Sequence, residues 1–144
     1  MIEQDTIKLL RECDAGVQMG TASIADVLDH VRNEAFRQRL TRCKQAHNAL
    51  QDEIRILLDR YHDEGKSPGP MARGMSRAKT GMKLTIDPTD AAIAELMTDG
   101  CNMGVKSLSR YLNQYAAADE TSKAIARRLI GLEEQLAVDL RPYL

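Results

Sequence analysis

Residues 16–28 read GVQMGTASIADVL, and residues 100–112 read GCNMGVKSLSRYL. The two stretches align at a constant offset of 84 residues, and each has a glycine at its first and fifth positions. A repeat of this kind indicates that the chain consists of two halves with the same architecture. Apolar residues recur in both stretches at intervals of three and four, which predicts that each half is helical.

Outward from the repeat, the same periodicity predicts four amphipathic helices. The first covers about residues 3–31 and the second about 33–62, and the third runs from the start of the second half to about residue 116. The fourth follows the polar break AADETS at 117–122, and Pro142 ends it. The predicted apolar stripes are Ile7, Leu10, Val17, Ile24, Leu28 and Val31; Phe36, Leu40, Cys43, His47, Leu50, Ile54, Leu57 and Tyr61; Ile93, Met97, Cys101, Leu108, Tyr111 and Tyr115; and Ile125, Leu129, Leu132, Leu136 and Leu140. Asp14 and Thr21 interrupt the first stripe.

The lengths of the connections predict how these helices are joined. Two or three residues separate the first two helices, so they should form an antiparallel hairpin. Residues 65–87 are rich in glycine and proline and form a long crossover before a second hairpin. We therefore predict one all-α domain over 1–144, with a hairpin at 1–64, a crossover at 65–87 and a hairpin at 88–144. A long crossover between two hairpins is the topology of a ferritin-like four-helix bundle. Thr89 and Asp90, after Pro88, are candidate caps for the third helix.

Composition limits the classes of function. Hydrophobic residues make up 43% of the chain and charged residues 28%, which is typical of a folded globular protein. The net charge of -1 offers no general attraction to nucleic acid or to an anionic membrane, so neither is expected as a partner. No apolar run approaches the roughly 20 residues of a membrane-spanning helix. Three widely spaced cysteines, without a CxxC pair or a secretion signal, predict a reduced, cytoplasmic protein.

The segments ECDAGVQMG (12–20) and TDGCNMG (98–104), together with the helix that carries His47, resemble a bacterial ferritin-like group of unknown function. The resemblance covers nearly the whole chain. Members of that group are mostly described only as four-helix-bundle proteins, and some are stress-associated. The resemblance thus implies a ferritin-like bundle with a structural or stress-associated role.

Catalytic ferritin-like proteins bind two irons through a Glu from each of the first and third helices and an ExxH pair from each of the other two. Counting from the hairpin loops, we expect Gln18, His47, Asn102 and Glu133 to share one level of the bundle. Only His47 and Glu133 are of a suitable ligand type. The degenerate ligand positions are Gln18, Lys44, Asn102 and Leu136. Because two irons need several negative ligands, we predict that the di-iron site is lost and that the chain has no cofactor and no catalytic activity.

A different metal site remains an alternative. Cys43 and His47 are four residues apart on one helix face, a spacing that suits a soft metal such as zinc. Iron is the other candidate, and Asp14, Asp99 and Cys101 could approach the same region. The simpler interpretation is that His47 is a hydrogen-bonded core residue and the cysteines act as small hydrophobic residues. Asp14 needs a partner in either case, and Lys44, Lys106 or a buried hydrogen bond could supply it.

Two further features have competing interpretations. Gly16, Gly20, Gly100 and Gly104 predict close packing of the first helix on the third, or else room for a ligand or metal cluster. The basic crossover residues Arg73, Arg77, Lys79 and Lys83 could bind a partner, although a solvated connection explains them more simply. Our leading prediction is a non-catalytic, self-associating homo-oligomer. A metal-binding protein and a binding module that uses the crossover are the alternatives.

Overall fold

The computed structural model describes residues 2–68 and 89–144, and within these residues it contains helices and no strand. The four α-helices are α1 (Ile2–Leu28), α2 (Glu34–Arg60), α3 (Asp90–Gln114) and α4 (Glu120–Asp139), followed by a 3-10 helix (Arg141–Tyr143). The predicted all-α class is therefore confirmed. None of the described helices combines the length and the apolar character needed to cross a membrane.

Polar side chains begin three of these helices. The side chains of Asn33, Thr89 and Asp119 accept hydrogen bonds from the third backbone N–H that follows each of them, at the starts of α2, α3 and α4. These bonds satisfy amide groups that have no partner within their own helix. Thr89 was one of the two cap candidates predicted from the sequence, and its capping role is confirmed.

The helix boundaries differ slightly from the prediction. Helix α1 ends at Leu28 rather than near Val31, because Asn33 starts a new helix and residues 29–33 form the loop before it. Towards the end of α2, Leu58 is buried and Leu57 only partly so, the reverse of the predicted stripe. The prediction assumed a strict seven-residue register, from which a straight helix drifts by about 20° in each heptad.

Within the described part of the chain, two apolar clusters form the core. The Leu50 cluster comprises Leu9, Leu10, Cys13, Val17, Leu50, Ile54, Leu58, Leu108, Ala118, Ile125, Ala126 and Leu129. The Leu40 cluster comprises Ile24, Val27, Val31, Phe36, Leu40, Cys43, Ile93, Ala94, Met97, Cys101, Leu136 and Leu140. Each helix contributes to both clusters. Between them lie Gly20 on α1, His47 on α2, Gly104 on α3 and Glu133 on α4, which we call the middle layer.

Each half of the chain anchors the loop of the other half. Asp90, at the start of α3, accepts hydrogen bonds from the backbone N–H groups of Arg32 and Asn33 in the first loop, both at 2.9 Å. At the start of α1, Thr6 accepts one from the backbone N–H of Asp119, also at 2.9 Å. Thr6 and Asp90 are related by the 84-residue offset. The two halves are therefore alike in these contacts as well as in sequence.

The predicted crossover is described only over residues 65–68. Its basic residues Arg73, Arg77, Lys79 and Lys83 lie outside the described residues.

Candidate functional site

A buried ion pair occupies the middle layer. His47 Nε2 lies 2.8 Å from Glu133 Oε1, and the two residues are only 1% and 9% exposed. His47 comes from α2 and Glu133 from α4, so the contact joins the two halves of the chain. A buried polar group is costly without a hydrogen-bond partner, and here each of the two residues has one.

The contact of the second ring nitrogen of His47, Nδ1, indicates how the imidazole is protonated. His47 Nδ1 lies 2.8 Å from the backbone oxygen of Cys43. A carbonyl oxygen only accepts, so Nδ1 must carry a hydrogen. The short contact between His47 Nε2 and Glu133 Oε1 then holds a second proton. The pair is therefore electrically neutral as a unit.

The surroundings favour the protonated imidazole. Burial by itself lowers the pKa of His47, but the hydrogen bonds to the side chains of Cys43 and Glu133, with the electrostatic interactions of the same two side chains, outweigh it. The resulting pKa is raised from 6.5 to about 10. His47 is consequently a hydrogen-bond donor at neutral pH through both of its ring nitrogens.

Two thiols lie at opposite ends of this pair. Cys43 Sγ is 3.5 Å from His47 Nδ1, at the imidazole end. Cys101 is at the carboxylate end, where Glu133 influences its thiol. Burial and the negative charge of Glu133 raise the pKa of the Cys101 thiol well above its ordinary value. The third cysteine, Cys13, lies in the Leu50 cluster, where burial and then the adjacent carboxylates of Glu12 and Asp14 raise its pKa to about 12.

Two glycines, Gly20 on α1 and Gly104 on α3, lie beside the buried pair in the middle layer. A Cβ atom at Gly20 would lie 2.9 Å from His47 Cδ2 and Nε2, closer than real side chains approach. At Gly104 it would lie 3.6 Å from Glu133 Cδ, an ordinary contact. The sequence predicted either close packing of α1 on α3 at these glycines or room for a ligand or metal cluster. At Gly20 the room is taken instead by an imidazole ring that reaches across from α2.

The prediction of close packing is wrong for Gly100. This residue is exposed, and an added Cβ there would meet no atom within 4 Å. At Gly16, an added Cβ would make ordinary contacts with the side chains of Leu129 and Leu108.

Four of the candidate metal ligands are brought together, namely Cys43, His47, Cys101 and Glu133. Asp99 is exposed on α3, so its predicted approach to this region is wrong. Asp14 is buried, but its partners lie elsewhere. Over residues 2–68 and 89–144, no group of three or more His, Cys, Asp or Glu side chains has a geometry suited to holding a metal ion.

The residues do not fit a di-iron cluster. Leu136, at a position where a ligand His is expected, is buried in the Leu40 cluster, and Lys44 carries the wrong charge. The predicted amide positions also need correction. Asn102 is exposed, whereas its neighbour Cys101 is buried. At the equivalent position in the first half of the chain, the buried residue is likewise Val17 rather than Gln18.

Gln18 belongs to a second polar cluster, around Asp14. Its amide donates to Asp14 Oδ2 and to the backbone oxygen of Lys66, each at 3.1 Å. The backbone N–H of Lys66 also donates to Asp14 Oδ2 at 3.1 Å. Asp14 Oδ1 lies 3.9 Å from the guanidinium of Arg55. A hydrogen-bond network at the edge of the core thus satisfies the buried Asp14, and it fixes the start of the crossover on α1.

Gly65 makes this anchorage possible. Its φ of +85° is a conformation that other residues rarely adopt, and an added Cβ would overlap Asp14 Oδ2. This role of Gly65 was not predicted from the sequence, because Gly65 and Asp14 are far apart in the chain. The anchoring role of Thr6 was not predicted either, although the 84-residue offset from Asp90 was a usable signal.

No family model, no curated protein and no solved structure matches the chain.

Proposed function

We propose that the chain is a non-catalytic, ferritin-like four-helix bundle with a structural or stress-associated role, which self-associates as a homo-oligomer. Its di-iron site is degenerate, and a protonated His–Glu pair takes the place of the metals. The observation that carries the proposal is the 2.8 Å contact between His47 Nε2 and Glu133 Oε1 in the middle layer. Each residue stands where one ligand of a different ExxH pair is expected, and each binds the other.

The ion pairs between α2 and α4 support a long crossover that sets these two helices antiparallel to each other. Along α2, the paired residues are Arg39, His47 and Glu53. Their partners on α4 are Asp139, Glu133 and Arg128, which follow in the reverse order along the chain. The long connection between the halves and this reversal are both features of a ferritin-like bundle.

Self-association has one structural argument in its favour. Ile56 is 59% exposed and lines a surface groove between α2 and α4, together with Leu57, Ala124 and Ile125. A second copy could cover these apolar side chains. Light scattering over a wide concentration range should detect a dimer or larger species, and Ile56→Asp should weaken it. Ile2→Asp, which changes another exposed isoleucine, is the control. A strict monomer at high concentration would contradict this part of the proposal.

Metal analysis tests the degenerate site. Protein purified without chelators should contain far less than one iron, zinc or manganese per chain. Stoichiometric metal that disappears on His47→Ala, with the fold retained by circular dichroism, would overturn the proposal. It would instead support the alternative of a single soft-metal site that includes Cys43 and His47.

A further inference from the structure

The outer face of α4 carries a stripe of small and apolar residues centred on Gly131. Ala124, Gly131 and Val138 follow one another at intervals of seven residues, nearly two turns, so they lie almost in line along the helix. All three are exposed, and an added Cβ at Gly131 would meet nothing within 4 Å among the described residues. A glycine within a helix is destabilising relative to alanine. Packing within the described part of the chain does not explain this glycine, whereas a second helix could approach closely at a position without a side chain.

Charged residues alternate in sign along one edge of this stripe. At intervals of seven residues, the edge carries Glu120, Arg127, Glu134 and Arg141, all of them exposed. Within the chain, Arg127 lies 3.9 Å from Glu120, and these two side chains remain 60% and 84% exposed. The order of charges is acid, base, acid, base, so the same edge followed in the opposite direction has the opposite sign at each position. A second copy of α4 that lies antiparallel on the first is therefore complementary to it in charge.

The symmetry of a homodimer fixes where such a pair is centred. About a two-fold axis, a residue on the axis meets its own copy, and residues equally far on either side of it meet each other. The oppositely charged pairs are both centred between residues 130 and 131, while Ala124 and Val138 are centred on Gly131. The charges and the apolar stripe thus specify nearly the same centre. Ala124 also lines the groove that contains Ile56, so Val138 of a second copy would lie at the edge of that groove.

We propose that a second copy of this chain docks on α4, antiparallel to it and about a two-fold axis at Gly131. Arg127 of each copy then faces Glu134 of the other, and Ala124 faces Val138. This inference rests on the proposed self-association and specifies its surface and orientation. A strict monomer would contradict both proposals, whereas an oligomer formed through another surface would contradict only this one.

Reversal of single charges tests the orientation. Arg127→Glu and Glu134→Arg each place like charges opposite one another, so each variant alone should self-associate at least about tenfold more weakly than the original chain. An equal mixture of the two variants should regain association as a heterodimer, because the glutamates of one then face the arginines of the other. Sedimentation velocity measures both effects. Arg110→Glu, which reverses an exposed charge on α3, is the control and should associate like the original chain. Single variants that associate normally, or a mixture no stronger than its components, would overturn the proposal.

Gly131→Cys tests the position of the axis. A residue at a two-fold axis lies beside its own copy, so the introduced thiols should form an intermolecular disulfide under mild oxidation. The covalent dimer is measured on a non-reducing gel, and the native cysteines of the described residues are buried and do not compete. Gly100→Cys is the matched control, because Gly100 is an exposed glycine on α3 with equally empty surroundings. The dimer should form at least about tenfold faster in Gly131→Cys than in this control. Equal rates in the two variants would refute an axis at Gly131.

Discussion

Gly20 lies so close to the imidazole of His47 that a Cβ atom at position 20 would be 2.9 Å from both Cδ2 and Nε2. The ring cannot retreat without loss of its contacts to Glu133 and to the backbone oxygen of Cys43. A glycine within a helix is normally a weakness of roughly 1 kcal/mol relative to alanine. Here the absence of a side chain at position 20 leaves the space that the imidazole ring occupies in the middle layer.

The first prediction is that Gly20→Ala lowers the free energy of unfolding, by about 1–3 kcal/mol, because the inserted methyl group displaces His47. Gly100→Ala is the matched control. Gly100 lies on α3 one turn before Gly104, which is the repeat equivalent of Gly20. Its Cβ would meet nothing, so it should raise stability by about 0.5–1 kcal/mol. Urea denaturation measures both. Stabilisation by Gly20→Ala would mean that the ring is not held as described.

The second prediction concerns the buried pair itself. Glu133→Leu leaves an unpaired imidazole in the core and should cost about 3–5 kcal/mol, as should His47→Leu. The double variant removes both polar groups at little change in volume and should be much closer to the original protein. A double-mutant cycle by denaturant unfolding gives the coupling energy. If the two single effects simply add, the residues do not form a coupled pair.

The third prediction is a dependence of stability on pH. The pKa of His47 is raised from 6.5 to about 10, so the folded protein binds more protons than the unfolded chain between these values. The stabilisation from the pair is fully present below about pH 6.5, and it is lost as pH rises through about 10. Unfolding free energy should decline over this window, and the decline should be smaller in Glu133→Gln. Because Cys43 also raises the pKa of His47, only part of the decline should disappear; a profile identical in the two proteins would contradict any contribution of Glu133 to the shift.

The fourth prediction tests the anchorage of the crossover. Gly65→Ala should destabilise the protein by at least about 1 kcal/mol, because its positive φ is strained for alanine and its methyl group would overlap Asp14. Gly131→Ala on α4, where an added Cβ meets no atom, should be neutral or stabilising. Thermal unfolding of the two variants under one buffer condition distinguishes them. Equal melting temperatures would argue against a tight contact between Gly65 and Asp14.

The fifth prediction concerns the anchoring of one half of the chain on the other. Asp90→Ala removes the acceptor for the backbone N–H groups of Arg32 and Asn33 and should cost about 1–3 kcal/mol. Hydrogen exchange of the Arg32 and Asn33 amides should accelerate at the same time. Asp99→Ala, an exposed aspartate on the same helix, should change neither measurement. Unaltered exchange in Asp90→Ala would show that water replaces these bonds without loss.

The amino-acid sequence by itself determined the all-helical class, the four helices and the capping role of Thr89, because these depend on periodicity and on the residues next to a helix end. It also singled out His47 and Glu133, since the repeat identifies equivalent levels in the two halves. It was less reliable about which residue of a helix faces the core. Gln18 and Asn102 were predicted for positions that Val17 and Cys101 occupy, because one residue along a helix is a rotation of about 100°.

Only the tertiary structure decided how the polar residues are satisfied. Periodicity reports which face of a helix is buried, but not which side chain on another helix lies opposite it. The contacts of Gly20 with His47, of Gly65 with Asp14, and of His47 with Glu133 join residues distant in the chain. They depend on the rotation and depth at which the helices pack, and these are set by the summed packing of two apolar clusters rather than by any local motif.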